Sequence, residues 1–232
     1  MKNKVFLSIC VPAFNEEGGL RAAVEDLLST LSSVAGGLEI IIVDDGSKDA
    51  TGRIAFELAE RYAQVRVISH NKNLGIGASY RDALAVAVGR FYTWFPADHE
   101  NSAAEFKVCL PHLSESAIVA CHHRGQDPRS LARRVISRIY TWFLNGFFRL
   151  NLKYYNGLAI FPAVALRPLS LKANGFLILS ESLIKAARRG LRVIELPVAL
   201  KVRGSGRSKA FNLSEISQMA SDITRILPGK DI

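Results

Sequence analysis

An α/β fold, with a mostly parallel central sheet flanked by helices, follows from three observations on this 232-residue chain. Strand and helix signals alternate through its first half, as βαβ units do. The run IIIV at 40–43 is apolar without alternation, which suits a strand covered on both faces. Three polar clusters follow apolar strand segments, at Asn15-Glu16, Asp44-Asp45 and Asp98–Glu100. In parallel sheets, ligands bind beyond the carboxyl ends of the strands.

Each element has its own signal. VFLSICV (5–11) predicts a strand ended by Pro12, and residues 16–33 carry helical spacing through Leu20, Ala23, Val24, Leu27, Leu28 and Leu31. EIIIVDD (39–45) predicts a strand. Residues 51–62 predict a helix with Ile54, Leu58 and Tyr62 on one face. VRVIS (65–69) predicts a strand, 75–88 a helix opened by Gly75 and Gly77, and RFYTWF (90–95) a strand. The second half is less regular. It predicts a short helix at 102–112, a strand at 117–123 and a long aromatic-rich helix at 130–150. Short strands near 158–162 and 192–201 flank a helix at 180–189, and 213–227 predict a terminal helix ended by Pro228. No Pro/Gly/Ser-rich linker or repeat divides the chain, so residues 1–232 read as one domain.

Composition narrows the function classes. Cys10, Cys109 and Cys121 are scattered, odd in number and without a CxxC, which points away from a disulfide framework or zinc site. The amino-terminal apolar run is cut short by Pro12 and lacks a small-residue cleavage site, so it reads as a strand. No apolar stretch approaches the roughly 20 residues of a membrane-spanning helix. The net charge of +9 suits an anionic partner: a nucleotide, a phospholipid surface or a nucleic acid.

The motifs carry the chemistry. In VDDGS (43–47), Ser47 or Asp49 suits helix capping, which leaves Asp44 and Asp45 to accept hydrogen bonds from a base or ribose. In VPAFNEE (11–17), Asn15 and the glutamates suit either a helix start or the same cleft. Asn73 and Arg81 are candidates for lining it. In FPADHE (95–100), Asp98 and Glu100 are one residue apart and suit a hard divalent ion, Mg²⁺ or Mn²⁺, shared with substrate phosphate. The alternative there is a solvated turn. Residues 122–153 hold seven basic side chains and one acid, with Val135, Ile136, Ile139, Trp142, Phe143, Leu144, Phe147 and Phe148 between them. This composition fits a helix lying in a membrane interface, or a core helix with a basic edge. KVRGSGRSKA (201–210) fits a glycine-containing loop closing on phosphate, or a basic surface loop.

In this order, VPAFNEE, EIIIVDDGSKDAT, NKNLGIGASYRDAL, the ADHE loop, RRVIS, YYNG and RGSGRSK resemble family 2 glycosyltransferases of the GT-A fold. The similarity is greatest to the dolichyl- or polyprenyl-phosphate mannosyltransferase-like branch and spans roughly residues 6–210. It implies a nucleotide-sugar-binding half (1–123) and an acceptor-binding half (124–232). It places Pro12, Phe14, Glu16, Val43, Asp44, Asp45, Asn73 and Ala97 around the donor. Arg203, Ser208 and Lys209 would lie over its pyrophosphate. Asp98 and Glu100 would hold the metal, and Arg124, Arg133 and Ser137, with Asp98, would serve catalysis at the lipid phosphate. Two departures stand out: Phe14 replaces a usual Tyr, and Pro96 stands at the first acid of the DXD motif.

The resemblance implies inverting transfer of a hexose from a UDP- or GDP-linked sugar to a polyprenyl phosphate. The partners would be that donor, that acceptor and an anionic membrane surface, with no nucleic acid, and attachment would be peripheral on the cytoplasmic face. The alternatives are a soluble glycosyltransferase using a carboxylate base such as Glu181, a non-catalytic nucleotide-sugar binder, and a nucleic-acid-binding protein.

Overall fold

The computed structural model describes residues 5–34, 36–98, 102–123 and 131–198; for His123, Ala132 and Arg133 it describes the main chain only. Among the described residues seven strands form one sheet in the order β3-β2-β1-β4-β6-β5-β7. They are β1 (Leu7–Ala13), β2 (Leu38–Asp44), β3 (Val65–Ser69), β4 (Phe91–Trp94), β5 (Ala117–His123), β6 (Ala159–Pro162) and β7 (Arg192–Val198). Strands β3, β2, β1 and β4 run parallel, β6 reverses against both β4 and β5, and β7 lies parallel to β5.

The helices are α1 (Leu20–Leu31), α2 (Thr51–Arg61), α3 (Ile76–Val86), α4 (Ala104–Cys109), α5 (Leu131–Phe148), α6 (Ala163–Leu166) and α7 (Leu177–Arg188). They cover both sheet faces, and strand alternation sorts the core between them. Ile40 and Ile42 pack with α1, α2 and α4 through Leu20, Leu27, Leu58 and Phe106. Ile41 and Val43 pack on the other face with Tyr80, Leu144, Ile178 and Leu183.

Several boundaries differ from the expected ones for identifiable reasons. Strand β1 continues through Pro12, which pairs with Val43. The Cys10 carbonyl accepts from Phe95 on the β4 side, so the nitrogen two residues on faces that side as well, beyond the last β1–β4 pair at Trp94. The proline therefore removes no ladder bond. Helix α1 starts at Leu20 rather than 16 because residues 15–17 bind the next loop. The expected helix at 102–112 becomes α4 and a 3-10 turn at Leu110–His112 that contains Pro111. Helix α6 carried no sequence signal. The loop at 201–210 and the helix at 213–227 lie outside the described residues.

Helix α5 packs by one edge. Leu144 and Phe148 are buried, and Tyr140 is bound through its hydroxyl to Ser180 Oγ at 2.7 Å. Asn145 turns inward, accepting from Leu152 N and Tyr155 Oη and donating to the Leu152 carbonyl. On the opposite side Leu131 is 68% exposed, Ile139 60% and Trp142 76%, with Val135, Ile136, Phe143 and Phe147 also exposed. The polar positions 134, 138, 141 and 145 form a border between the packed edge and an exposed apolar arc.

Candidate active site

Because β3, β2, β1 and β4 are parallel, their following loops emerge at one end of the sheet, on adjacent strands. The β1–α1 and β2–α2 loops are tied together. Asn15, at φ 53°, donates its amide to Ser47 Oγ (3.0 Å) and accepts from Lys48 N at Oδ1 (2.8 Å). Glu16 N donates to Thr51 Oγ1 (2.8 Å), and the Glu17 carboxylate accepts from Ala50 N (2.9 Å). Asn15 thus serves a neighbouring loop rather than capping its own helix. Asp49, rather than Ser47, accepts from Thr51 N at the start of α2 (2.9 Å). Burial pushes the Asp49 carboxyl up, but hydrogen bonds from Thr51 and Glu17 outweigh this and hold it below the usual carboxylate value.

The third loop is brought to the first by close backbone approach. A β-carbon on Gly19 would stand 2.6 Å from the Ala97 carbonyl oxygen and 3.0 Å from Asp98 Cα. Only glycine lets the start of α1 lie against the loop after β4.

Asp45 is held on both carboxylate oxygens. Its Oδ1 accepts from Leu74 N (2.8 Å) and meets His70 Nδ1 (2.7 Å), and its Oδ2 accepts from Gly75 N (2.8 Å). Gly75, at φ 89°, turns the chain so that its amide faces this carboxylate. Asp44 accepts from Ser47 N (3.0 Å). Behind this rim, Arg81 donates to the Ala173 carbonyl (2.5 Å) and Asn174 Oδ1 (3.1 Å), which makes it scaffold between α3 and the 173–174 segment.

Pro12, Phe14, Glu16, Asp44, Asp45 and Asn73 all lie in these segments at the carboxyl end, as do Ala97 and Asp98. Val43 is fully buried in the core and Ala97 nearly so, so any ligand contact from either is through the main chain. Ser137 is half-buried on α5, seven residues from Leu144 and eleven from Phe148, hence on the packed side. Glu100, Arg124, Arg203, Ser208, Lys209 and the Arg133 side chain lie outside the described residues.

Asp98 offers hard carboxylate oxygens of the kind Mg²⁺ and Mn²⁺ take. Among the described residues no group of three His, Cys, Asp or Glu side chains is gathered. Asp98 thus fits as one protein ligand of an ion that also takes phosphate oxygens and water. Glu181, the carboxylate available as a base, is fully buried and accepts from Lys172 N, Ala173 N and Lys185 Nζ. It holds a loop. Sequence reasoning gave no role to His70 and Asp82, whose pairing is set by a long-range fold contact; it took Arg134 only as one of the basic side chains of the helix, and its Nε is buried with no hydrogen-bond partner among the described residues.

The model for glycosyl transferase family 2 matches residues 8–172. The chain belongs to that family. Among curated family relatives, human dolichyl-phosphate beta-glucosyltransferase is 42% identical over 155 residues, covering 61% of this chain and 47% of that protein. Its Saccharomyces cerevisiae namesake is 25% identical over 255 residues, covering 96% and 74%. Glycosyltransferase AglD of Haloferax volcanii is 28% identical over 233 residues, covering 95% of this chain and 37% of that protein. The chain thus spans less than half the length of two of these relatives. The GT-A fold is shared with glucosyl-3-phosphoglycerate synthase of Mycobacterium tuberculosis in complex with UDP, at TM-score 0.71 and 22% identity over 100% of this chain and 84% of that one. A further structure of that protein holds Mn²⁺, UDP and glucosyl-3-phosphoglycerate and matches at TM-score 0.71 and 19% identity, with the same coverage. Among the described residues no helix is long and apolar enough to cross a membrane.

Proposed function

We propose that this family 2 protein transfers a hexose from a UDP- or GDP-linked sugar to a polyprenyl phosphate at an anionic membrane surface, with inversion. The observation that carries the reading is the rim itself: three acidic strand ends on the adjacent strands β2, β1 and β4, tied to one another by hydrogen bonds and close packing. The names of the human and yeast relatives support a lipid-phosphate acceptor.

The base and ribose would sit against Pro12, Phe14, Glu16, Asp44 and Asp45, with Asn73 at the rim and the main chain of Val43 and Ala97 behind. Asp98 and Glu100 would hold Mg²⁺ or Mn²⁺, which when bound neutralises charge on the leaving diphosphate. Arg203, Ser208 and Lys209 would bind that diphosphate. Arg124, Arg133 and Ser137 would orient the acceptor phosphate. One of its oxygens attacks the anomeric carbon, the bond from that carbon to the diphosphate oxygen breaks, and a nucleoside diphosphate leaves. A phosphate monoester with a second pKa of about 6 is already ionised at neutral pH. Orientation therefore replaces a general base, in keeping with Glu181 being occupied by a loop.

The exposed arc of α5 supports the membrane surface. Leu131, Val135, Ile139 and Trp142 project from one side, Arg138 is exposed beside them, and Arg149 and Lys153 are exposed just past the helix. An apolar face bordered by cations is the pattern of helices lying in the plane of anionic lipid.

The test is a screen of UDP- and GDP-sugars with polyprenyl phosphate and Mn²⁺, with lipid-linked product read by mass spectrometry. One donor should give product, and Asp98→Ala should abolish it. Failure of every donor would favour the soluble transferase or the binder, and unchanged turnover of Asp98→Ala would remove the metal assignment.

A further inference from the structure

We infer that His70 is a positioning residue for the donor site, acting through an Asp45–His70–Asp82 bridge. The inference rests on Asp45 belonging to that site. The His70 side chain is 8% exposed; its Nδ1 lies 2.7 Å from Asp45 Oδ1 and its Nε2 3.1 Å from Asp82 Oδ2. Asp45 comes from the end of β2, His70 from the end of β3 and Asp82 from α3, so three elements meet at one ring.

The two carboxylates are unequal. Asp45 has a side chain 5% exposed and already accepts from Leu74 N and Gly75 N, whereas Asp82 is 52% exposed. Ionised carboxylates only accept hydrogen bonds, so both contacts are made only by a ring carrying protons on both nitrogens. With one proton, the better arrangement keeps Nδ1–H on the buried Asp45 and leaves Asp82 to water. The second proton therefore adds a tie between the end of β3 and α3, across the loop that carries Asn73, Leu74 and Gly75.

The His70 amide donates to the Asp44 carbonyl (2.9 Å), and the Asp44 carboxylate is turned to Ser47 N. Lys72 is an exposed cation on the same loop. A β-carbon on Gly46 would lie 2.5–2.9 Å from the Lys72–Asn73 main chain, so the loop is packed directly on the turn after Asp45. The 70–75 loop is thus coupled to the turn after Asp45 by direct packing.

The expected consequence is a donor site that tightens when the ring is doubly protonated. UDP and GDP affinity, measured by calorimetry with Mg²⁺ present, should weaken about two- to fivefold when rising pH removes the ring's second proton, the scale of one partly exposed ion pair. Asp82→Asn keeps an acceptor oxygen but removes the charge, and should flatten that profile. His70→Gln keeps a donor for Asp45 and should be flat as well. Amide exchange of Leu74 and Gly75 without nucleotide should show the same loss of protection with pH in the wild type, and not in either variant. Identical pH profiles for wild type and Asp82→Asn in both measurements would overturn the inference. If neither nucleotide binds the wild type while the exchange pattern holds, the donor-site reading fails and takes the positioning role with it, leaving only a structural bridge.

Discussion

Replacing Glu181 separates a mechanism without a base from one that uses this carboxylate. Glu181 is fully buried. Its oxygens accept from Lys172 N at 2.9 and 3.0 Å and from Ala173 N at 2.8 Å, and meet Lys185 Nζ at 2.7 Å. The Lys185 side chain is only 20% exposed. Glu181→Ala leaves an ammonium and two amides without this acceptor. Breaking a buried pair from one side costs about 3–5 kcal/mol, and unmet buried donors add to that non-additively. In a chain of this size about 1 kcal/mol moves Tm by about 2–4 °C. The variant should therefore melt roughly 6–20 °C lower, and Glu181→Gln, which keeps an acceptor oxygen, should lose less. The damage should spread, because Ala173 and Asn174 also receive Arg81 and the Gly77 amide. Thermal unfolding followed by circular dichroism, beside turnover per folded molecule, is the assay. Glu181→Gln with an unchanged Tm and abolished turnover would refute the scaffold assignment and restore a general base.

Four further outcomes follow from the same geometry. Gly19→Ala must displace the Ala97–Asp98 main chain, costing about 1–3 kcal/mol and lowering turnover, whereas Gly18→Ala, with nothing within 4 Å, should be neutral in melting and activity assays. Trp142→Glu should leave Tm unchanged but weaken flotation with phosphatidylglycerol vesicles by about tenfold or more, since burying a large apolar side chain is worth about 1.5–3 kcal/mol. Burial pushes Cys10 up to about 12, and the contact with Cys109 and then burial push Cys121 up, so native protein should react slowly with a thiol reagent at pH 8 and denatured protein should take up three equivalents. Asp49, held below its ordinary 3.8, contributes stability above that value and loses it as pH falls through its lowered folded-state value, so Asp49→Asn should flatten the denaturant-measured loss of stability in acid.

The parallel half of the fold was legible because its signals are local. Continuous apolar strands, helical spacing and acids at strand ends each occupy a few adjacent residues, and β3 and β5 match their expected spans. The reversal at β6 was not legible. AIFP looks like any short apolar strand, and its antiparallel pairing is decided by which edge β4 offers. In the site, the same locality marked Asp44, Asp45 and Asp98 as acids at strand ends but could not say what each holds. Asp45 binds His70 and the 74–75 amides because β3 lies beside β2. Glu181 looked like a candidate base because a lone carboxylate in sequence does not show the two amides and the ammonium it meets.

The helix α5 shows why both readings of a sequence feature can hold on different sides of one element. Its aromatic content exceeds what the core takes: Leu144 and Phe148 are buried while Trp142, Phe143 and Phe147 are not. Aromatic side chains left in water forgo a large apolar contribution, and a patch of this kind marks an interaction surface. Arg138 on the border favours anionic lipid over an apolar protein partner. The same packed edge carries Ser137, so a helix lying on a bilayer through its outer arc would turn Ser137, proposed for the acceptor phosphate, toward the body of the protein. A polyprenyl phosphate has the matching asymmetry, with its chain in lipid and its charged end at the surface. On the proposed reading, the acceptor's charged end would be taken at the bilayer surface while its chain stays in lipid, which is the physical reason to prefer it over a soluble glycan.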